Sequence, residues 1–191
     1  MTALLWTVRP ADSTRTHARA VGDRLAITAA RALGAIRAAV ERHDPRLRPE
    51  LVTDSDHELH HSVSHSGRVT ACLVGRGPVG LDVEKQGLDR ERRLRPVSLA
   101  GFLTEAERAE LTADPTALAH IFTRKEAWLK YTGDGLAAGL GSVDVDQVLR
   151  EHPDVDLDTF MLTDAVAGIA VCSAWFPAGM RPDPVRTEVS P

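Results

Sequence analysis

Residues 78–85 read Pro78-Val79-Gly80-Leu81-Asp82-Val83-Glu84-Lys85. Successive side chains of a strand leave on opposite faces, so Leu81 and Val83 are expected to enter a core while Asp82 and Glu84 project together on the other side. Two carboxylates on one face repel each other. A hard divalent cation removes that cost, and magnesium suits oxygen ligands while keeping water and substrate phosphate in its shell. The same octapeptide also describes an ordinary amphipathic edge strand with a solvated acidic face. Just upstream, Arg68 to Val74 is rich in apolar and β-branched residues and is separated from Val79–Val83 by Gly75-Arg76-Gly77-Pro78. Two strands joined by a turn are predicted there.

Working outward, Leu4 to Val8 is a short apolar run stopped by Pro10 and is expected to be a first strand. From about Ser13 to Arg42 the residues Val21, Leu25, Ala29, Leu33, Ile36 and Val40 recur at steps of three and four, which predicts one long helix ended by His43-Asp44-Pro45. The stretch that follows, up to Gly67, reads as loop-rich. Beyond Lys85 comes a basic stretch, and then Leu103-Thr104-Glu105-Ala106-Glu107, where Thr104 and Glu107 have capping-box spacing for a helix running to about Leu111. A second helix is predicted from Ala117 to Tyr131, ended by Gly133-Asp134-Gly135. Leu157–Thr163 and Val166–Trp175 resemble a closing pair of strands, and the prolines and charges from Pro177 onward suggest a flexible tail, taken as 181–191. Strand, helix and strands thus occur once before Gly77 and again after Pro78, an order that hints at two similar halves.

The chain has 191 residues with 43% hydrophobic and 26% charged residues, ordinary proportions for a folded globular protein. Its formal charge of −4 argues against a partner such as nucleic acid held by bulk electrostatics. No basic start followed by a long apolar run opens the chain, and no run of about 18 apolar residues occurs. A cytoplasmic protein without a membrane partner is expected. Cys72 and Cys172 each sit among alternating apolar residues, as buried thiols do. Lysines are confined to Lys85, Lys125 and Lys130.

Two further clusters carry chemistry. On the second predicted helix, Phe122-Thr123-Arg124-Lys125-Glu126-Ala127-Trp128-Leu129-Lys130 places Glu126 and Lys130 four apart on one face. They form either a routine surface ion pair or a third acid and a lysine completing a metal and diphosphate site. The other cluster is Ser62-Val63-Ser64-His65-Ser66-Gly67, just before a strand, where hydroxyls, an imidazole and turn backbone can donate to a phosphate. A plain serine-rich turn is the alternative. His57, His60 and His61 lie upstream, but with no thiolate nearby and no recognisable ligand spacing they do not make a zinc motif.

Taken in order, Ser64-His65-Ser66, Gly80 to Lys85, and Phe-x-x-Lys-Glu-Ala-x-x-Lys from Phe122 to Lys130 resemble the signatures of the 4′-phosphopantetheinyl transferases, most closely the type that activates surfactin synthetase. The resemblance runs from about His61 to Gly135. It implies an α+β fold of two pseudo-symmetric halves, each a small mainly antiparallel sheet packed on a long helix, at 1–77 and 78–180, with coenzyme A in the cleft between them. It further implies magnesium held by Asp82, Glu84 and Glu126, contact of His65 with the ribose 3′-phosphate, and Lys130 at the diphosphate; Ser64 and Lys125 fall within the motifs and are counted with the cofactor-binding residues. The implied reaction moves phosphopantetheine from coenzyme A to a serine of an apo carrier protein of fatty-acid, polyketide or peptide synthesis, releasing 3′,5′-ADP, with Glu126 and Lys130 as catalytic groups. A non-catalytic binder of coenzyme A or carrier protein with the same fold, or a magnesium-dependent phosphohydrolase, would use the same residues. Two fused halves favour a monomer. The Gly-Lys-Pro segment often found before the serine-histidine motif is absent, and Arg24, Arg31 and Arg37 offer no secure match to the basic residues that hold the nucleotide in family members.

Overall fold

A computed structural model describes residues 1–43, 49–86, 101–135 and 139–188. The first half contains β1 (Thr2–Val8), α1 (Arg15–Ala32), the short pair β2 (Ala38–Glu41) and β3 (Glu50–Thr53), and the hairpin β4 (His60–Ser66) and β5 (Val69–Gly75). The second contains β6 (Gly80–Lys85), α2 (Glu105–Ala113), α3 (Ala117–Thr132), α4 (Val145–Glu151) and the hairpin β7 (Val155–Asp164) and β8 (Gly168–Pro177). Strand β5 pairs antiparallel with both β4 and β1, and β8 pairs antiparallel with both β7 and β6. The two sheets therefore share one topology, β4-β5-β1 and β7-β8-β6, with a long helix following the first strand of each half. The α+β class and the paired halves expected from the sequence are both visible in this order.

The layers follow from which faces are apolar. Leu4, Ala71 and Leu73 of the first sheet meet Leu81, Cys172 and Ala174 of the second in a core that both halves share. Helix α1 covers the outer face of the first sheet by setting Val21, Leu25 and Ala29 on Leu5, Cys72 and Val74. Helix α3 covers the second sheet with Ala127 and Trp128 against Trp175. Burying one leucine stabilises by roughly 1.5–3 kcal/mol, and Leu4, Leu73 and Leu81 are each fully buried at the seam. The halves are thus joined by packing rather than by surface ion pairs, which contribute about 0–1 kcal/mol each.

Three expectations are corrected. Helix α1 stops at Ala32, not Arg42: Gly34 takes the left-handed φ of 102°, and the chain turns into β2, whose Val40 pairs with Leu51. Ile36, placed on the helical stripe by spacing alone, is 84% exposed. The serine-histidine segment is not a turn but strand β4, paired along its length with the buried β5. Finally, the expected tail is partly a strand: β9 (Pro184–Arg186) runs parallel to β1. Asp44-Pro45 and most of the basic stretch after Lys85 lie outside the described residues.

Candidate active site

Strand β6 carries the first pieces. Asp82 and Glu84 leave it on one face, as alternation requires, but Asp82 is not solvated: its side chain is only 3% exposed. Its Oδ1 accepts from Ser64 Oγ at 2.7 Å and from Lys130 Nζ at 2.7 Å, and Lys130 Nζ also donates to Ser64 Oγ at 3.2 Å. The other carboxylate oxygen, Oδ2, is buried with no hydrogen-bond partner. Glu84 accepts from Ser66 Oγ at 2.8 Å. The three sequence signatures, far apart in the chain, therefore meet at one junction.

Helix α3 reaches this junction because the backbones come unusually close. A Cβ on Gly80 would lie 2.0 Å from the carbonyl oxygen of Ala127 and 2.6 Å from the amide of Tyr131, so only glycine fits. Thr123 fixes the other end of the contact, its hydroxyl 2.7 Å from Ser173 Oγ, and Ser173 is the cross-strand neighbour of Asp82. Glu126, partly buried, lies one turn before Lys130 on the same helical face. Burial, followed by the charge of Asp82, pushes the Cys172 thiol well up, so Cys172 is an inert core residue.

Lys125 is elsewhere. Five residues from Lys130, it points about 140° around the helix, and its fully buried amine binds the Glu107 carboxylate at 2.8 Å and the Phe102 carbonyl at 2.6 Å. Glu107 closes the capping box of α2 with Thr104. Lys125 thus ties α2 to α3 and does not join the Asp82 junction, a correction to its grouping with the coenzyme-binding residues. His60 and His61 leave β4 on opposite faces, His60 approaching Glu58 at 3.6 Å.

His65, on the face of β4 opposite the serines, stands among cations. Partial desolvation, and next the charges of Arg9, Lys130, Arg15 and Arg19, hold its imidazole below the ordinary value. Arg9 is buried and held by Ser13 at 2.7 Å and by the Gly67 carbonyl. Arg15 and Arg19 occupy the first turns of α1, where no acidic residue is present. Cations at a helix N-terminus are unfavourable by about 0.3–1 kcal/mol, and an anion bound between them and His65 would offset this. Arg24, Arg31 and Arg37, which offer no secure match in the sequence, are not among these four cations. The available signal was two arginines four apart directly after the helix-capping Thr14.

Magnesium is implied by the resemblance, and the donor set suits it. Asp82 Oδ2 is a buried oxygen without a partner, and Glu84 shares its face. Among the described residues no group of three or more His, Cys, Asp or Glu side chains is spaced to hold a metal ion by itself. That is compatible with a cation that takes one or two carboxylates and completes its shell with water and substrate phosphate. An open pocket of about 500 Å³ is lined by Leu59, by His60 and His61 at the start of β4, and by Tyr131 and Thr132 at the end of α3. No helix among the described residues is long and apolar enough to cross a membrane.

Comparison with known proteins points to one family. A family model described as the 4′-phosphopantetheinyl transferase superfamily matches residues 78–173. The chain is 30% identical over 133 residues to the 4′-phosphopantetheinyl transferase Sfp of Bacillus subtilis (strain 168), covering 61% of this chain and 56% of that protein. It is 30% identical over 179 residues to another 4′-phosphopantetheinyl transferase of Bacillus subtilis, covering 83% of this chain and 74% of the relative. The 4′-phosphopantetheinyl transferase psf-1 of Bacillus pumilus is 32% identical over 92 residues, 44% of this chain and 36% of its own length.

Proposed function

The chain belongs to the 4′-phosphopantetheinyl transferase superfamily, and from that premise we propose that it transfers the phosphopantetheine arm of coenzyme A to a serine of an apo carrier protein, releasing 3′,5′-ADP. The observation that carries this reading is the junction of Ser64, Asp82 and Lys130, to which all three signature segments contribute. Beside it, the cationic surroundings of His65 suit a phosphate monoester.

Coenzyme A presents two anionic groups, the ribose 3′-phosphate and the diphosphate. Arg9, Arg15, Arg19 and His65 bind the first. Asp82 and Glu84, which share one face of β6, would hold magnesium, which would supply charge neutralisation to the diphosphate and complete its shell with water and substrate phosphate. Lys130, already directed by Asp82 and Ser64, neutralises charge on the leaving phosphate oxygen as the bond to the β-phosphorus breaks. Glu126 accepts the proton of the attacking serine hydroxyl, directly or through one water. Because phosphoryl transfer depends mainly on position and charge, a lysine held by two partners before substrate arrives is already organised for the transition state.

The test is to incubate the protein with coenzyme A, magnesium and apo carrier proteins from fatty-acid, polyketide and peptide synthases, weighing each carrier afterwards. A carrier heavier by one phosphopantetheine, with matching release of 3′,5′-ADP, is expected. Release of 3′,5′-ADP without a carrier would instead establish a hydrolase, and binding without release a non-catalytic binder.

A further inference from the structure

Strands β4 and β6 are outer strands of different sheets, yet they run side by side, joined by serine side chains in place of a backbone ladder. Ser62 Oγ accepts from the Leu81 amide at 3.0 Å, and Ser66 Oγ accepts from the Lys85 amide at 3.0 Å while donating to Glu84 at 2.8 Å. Between them Ser64 Oγ donates to Asp82 at 2.7 Å. Four residues along β4 match four along β6, so the two strands are held parallel and in fixed register. Every second residue of β4 from 62 to 66 is a serine, and all three hydroxyls are spent across this seam.

We propose that Ser62 and Ser66 are positioning residues that set the spacing between the two anion-recognising ends of the site. His65 and its arginines belong to the first half, Asp82, Glu84 and Lys130 to the second, and the serine rungs tie β4, which carries His65, to β6, which carries Asp82 and Glu84. The inference rests on the transferase reading above. A ligand with a 3′-phosphate at one end and a diphosphate at the other gains from both contacts only when the site spans the same distance. When the spacing drifts, the effective concentration of the second contact falls, and affinity falls with it, although neither contacting group has changed. Ser62 touches neither end, so its contribution can act only through this register.

Calorimetric titration of the parent protein and of Ser62→Ala, with coenzyme A plus magnesium and separately with adenosine 3′-monophosphate, tests the idea. The second ligand carries the 3′-phosphate and no phosphate at the 5′ end. In Ser62→Ala the dissociation constant for coenzyme A should rise about 5- to 20-fold, while that for adenosine 3′-monophosphate stays within about twofold, because only the former must bridge the seam. Amide exchange at Leu81 should accelerate in the same variant, and at Lys85 in Ser66→Ala, which also serves as the second variant should Ser62→Ala fold poorly. Equal losses for both ligands, or unchanged affinity for coenzyme A, would overturn the positioning role, as would unaltered exchange at both amides. A parent protein that binds neither ligand would sink the transferase reading itself, a result distinct from any of these.

Discussion

Asp82 and Lys130 are paired at 2.7 Å, and substitution of either is both a stability and an activity experiment. The Asp82 side chain is 3% exposed and that of Lys130 29%. Removing one partner of a buried pair costs about 3–5 kcal/mol, because the other charge is left uncompensated; the partial exposure of Lys130 puts Lys130→Met near the lower end. Combining it with Asp82→Asn removes both charges, so the double variant should recover most of the melting temperature lost by Lys130→Met and none of the transfer activity. If the double variant melts as low as the sum of the singles, the pair is not coupled as drawn. His65 gives a pH signature. Its folded pKa lies below the ordinary value of about 6.5, so its contribution to stability is full above that pH and declines as pH falls, since the unfolded chain then binds more protons. A bound phosphate favours the imidazolium and reverses the sign: affinity for 3′,5′-ADP should increase as pH drops from 8 toward about 6. In His65→Gln both dependences should flatten, as thermal melts and titrations across that range will record. The acid pair and the lysine were legible in the sequence as residues. That Asp82 is buried was not, because alternation assigns it a face without saying that α3 covers that face.

At the scale of elements, Gly80 decides how near α3 can come. The Ala127 carbonyl oxygen stands 2.0 Å from where a Cβ would be, and backbone cannot yield as a side-chain tip can. Gly80→Ala should displace α3 and carry Glu126 and Lys130 away from Asp82. The expected outcome is a transfer rate reduced by about 100-fold, the scale for a misplacement of about 1 Å, with a melting temperature lower by several degrees and Ser62 unaffected. A variant with native activity would show that the helix has slack. Helices α2 and α3 were legible because their stops and starts are chemical: the capping box of Thr104 and Glu107, and Gly133 in the left-handed conformation with φ of 81°. The overrun of α1 came from Ile36 and Val40, whose spacing matched a helix by coincidence after Gly34 had already ended it. Strand β4 was missed because His60-His61-Ser62-Val63-Ser64-His65-Ser66 has few residues of high strand propensity. It is a strand because β5 beside it is fully buried and its serines satisfy β6. The separation of Lys125 from Lys130, by contrast, follows from helical geometry alone.

For the whole molecule, the segment after Pro177 is a clasp rather than a tail. Thr187 donates to the Trp6 carbonyl at 2.9 Å, and Arg186 lies 5.6 Å over the Trp6 ring while binding Asp164 at 2.6 Å. One arginine so connects the first strand of the chain to β7 of the second half. Ending the chain after Pro182 should remove about 1–2 kcal/mol and lower the melting temperature by roughly 2–8 °C, given about 2–4 °C per kcal/mol for a chain of this size. It would also leave the edge of β1 unpaired, so aggregation on heating should begin earlier, as light scattering will show. An unchanged melting temperature would reduce β9 to an ornament of the edge. The order of synthesis gives the clasp another meaning. Leu4 pairs with Pro184, so at about 5–20 residues per second the strand that closes this edge leaves the ribosome roughly 10–40 s after β1 does. For that interval the β4-β5-β1 backbone ladder, whose pairing partners all lie at or before Gly75, can form while its inner face still lacks the second half and the β1 edge stays open to other chains, and the risk of misassembly is concentrated there.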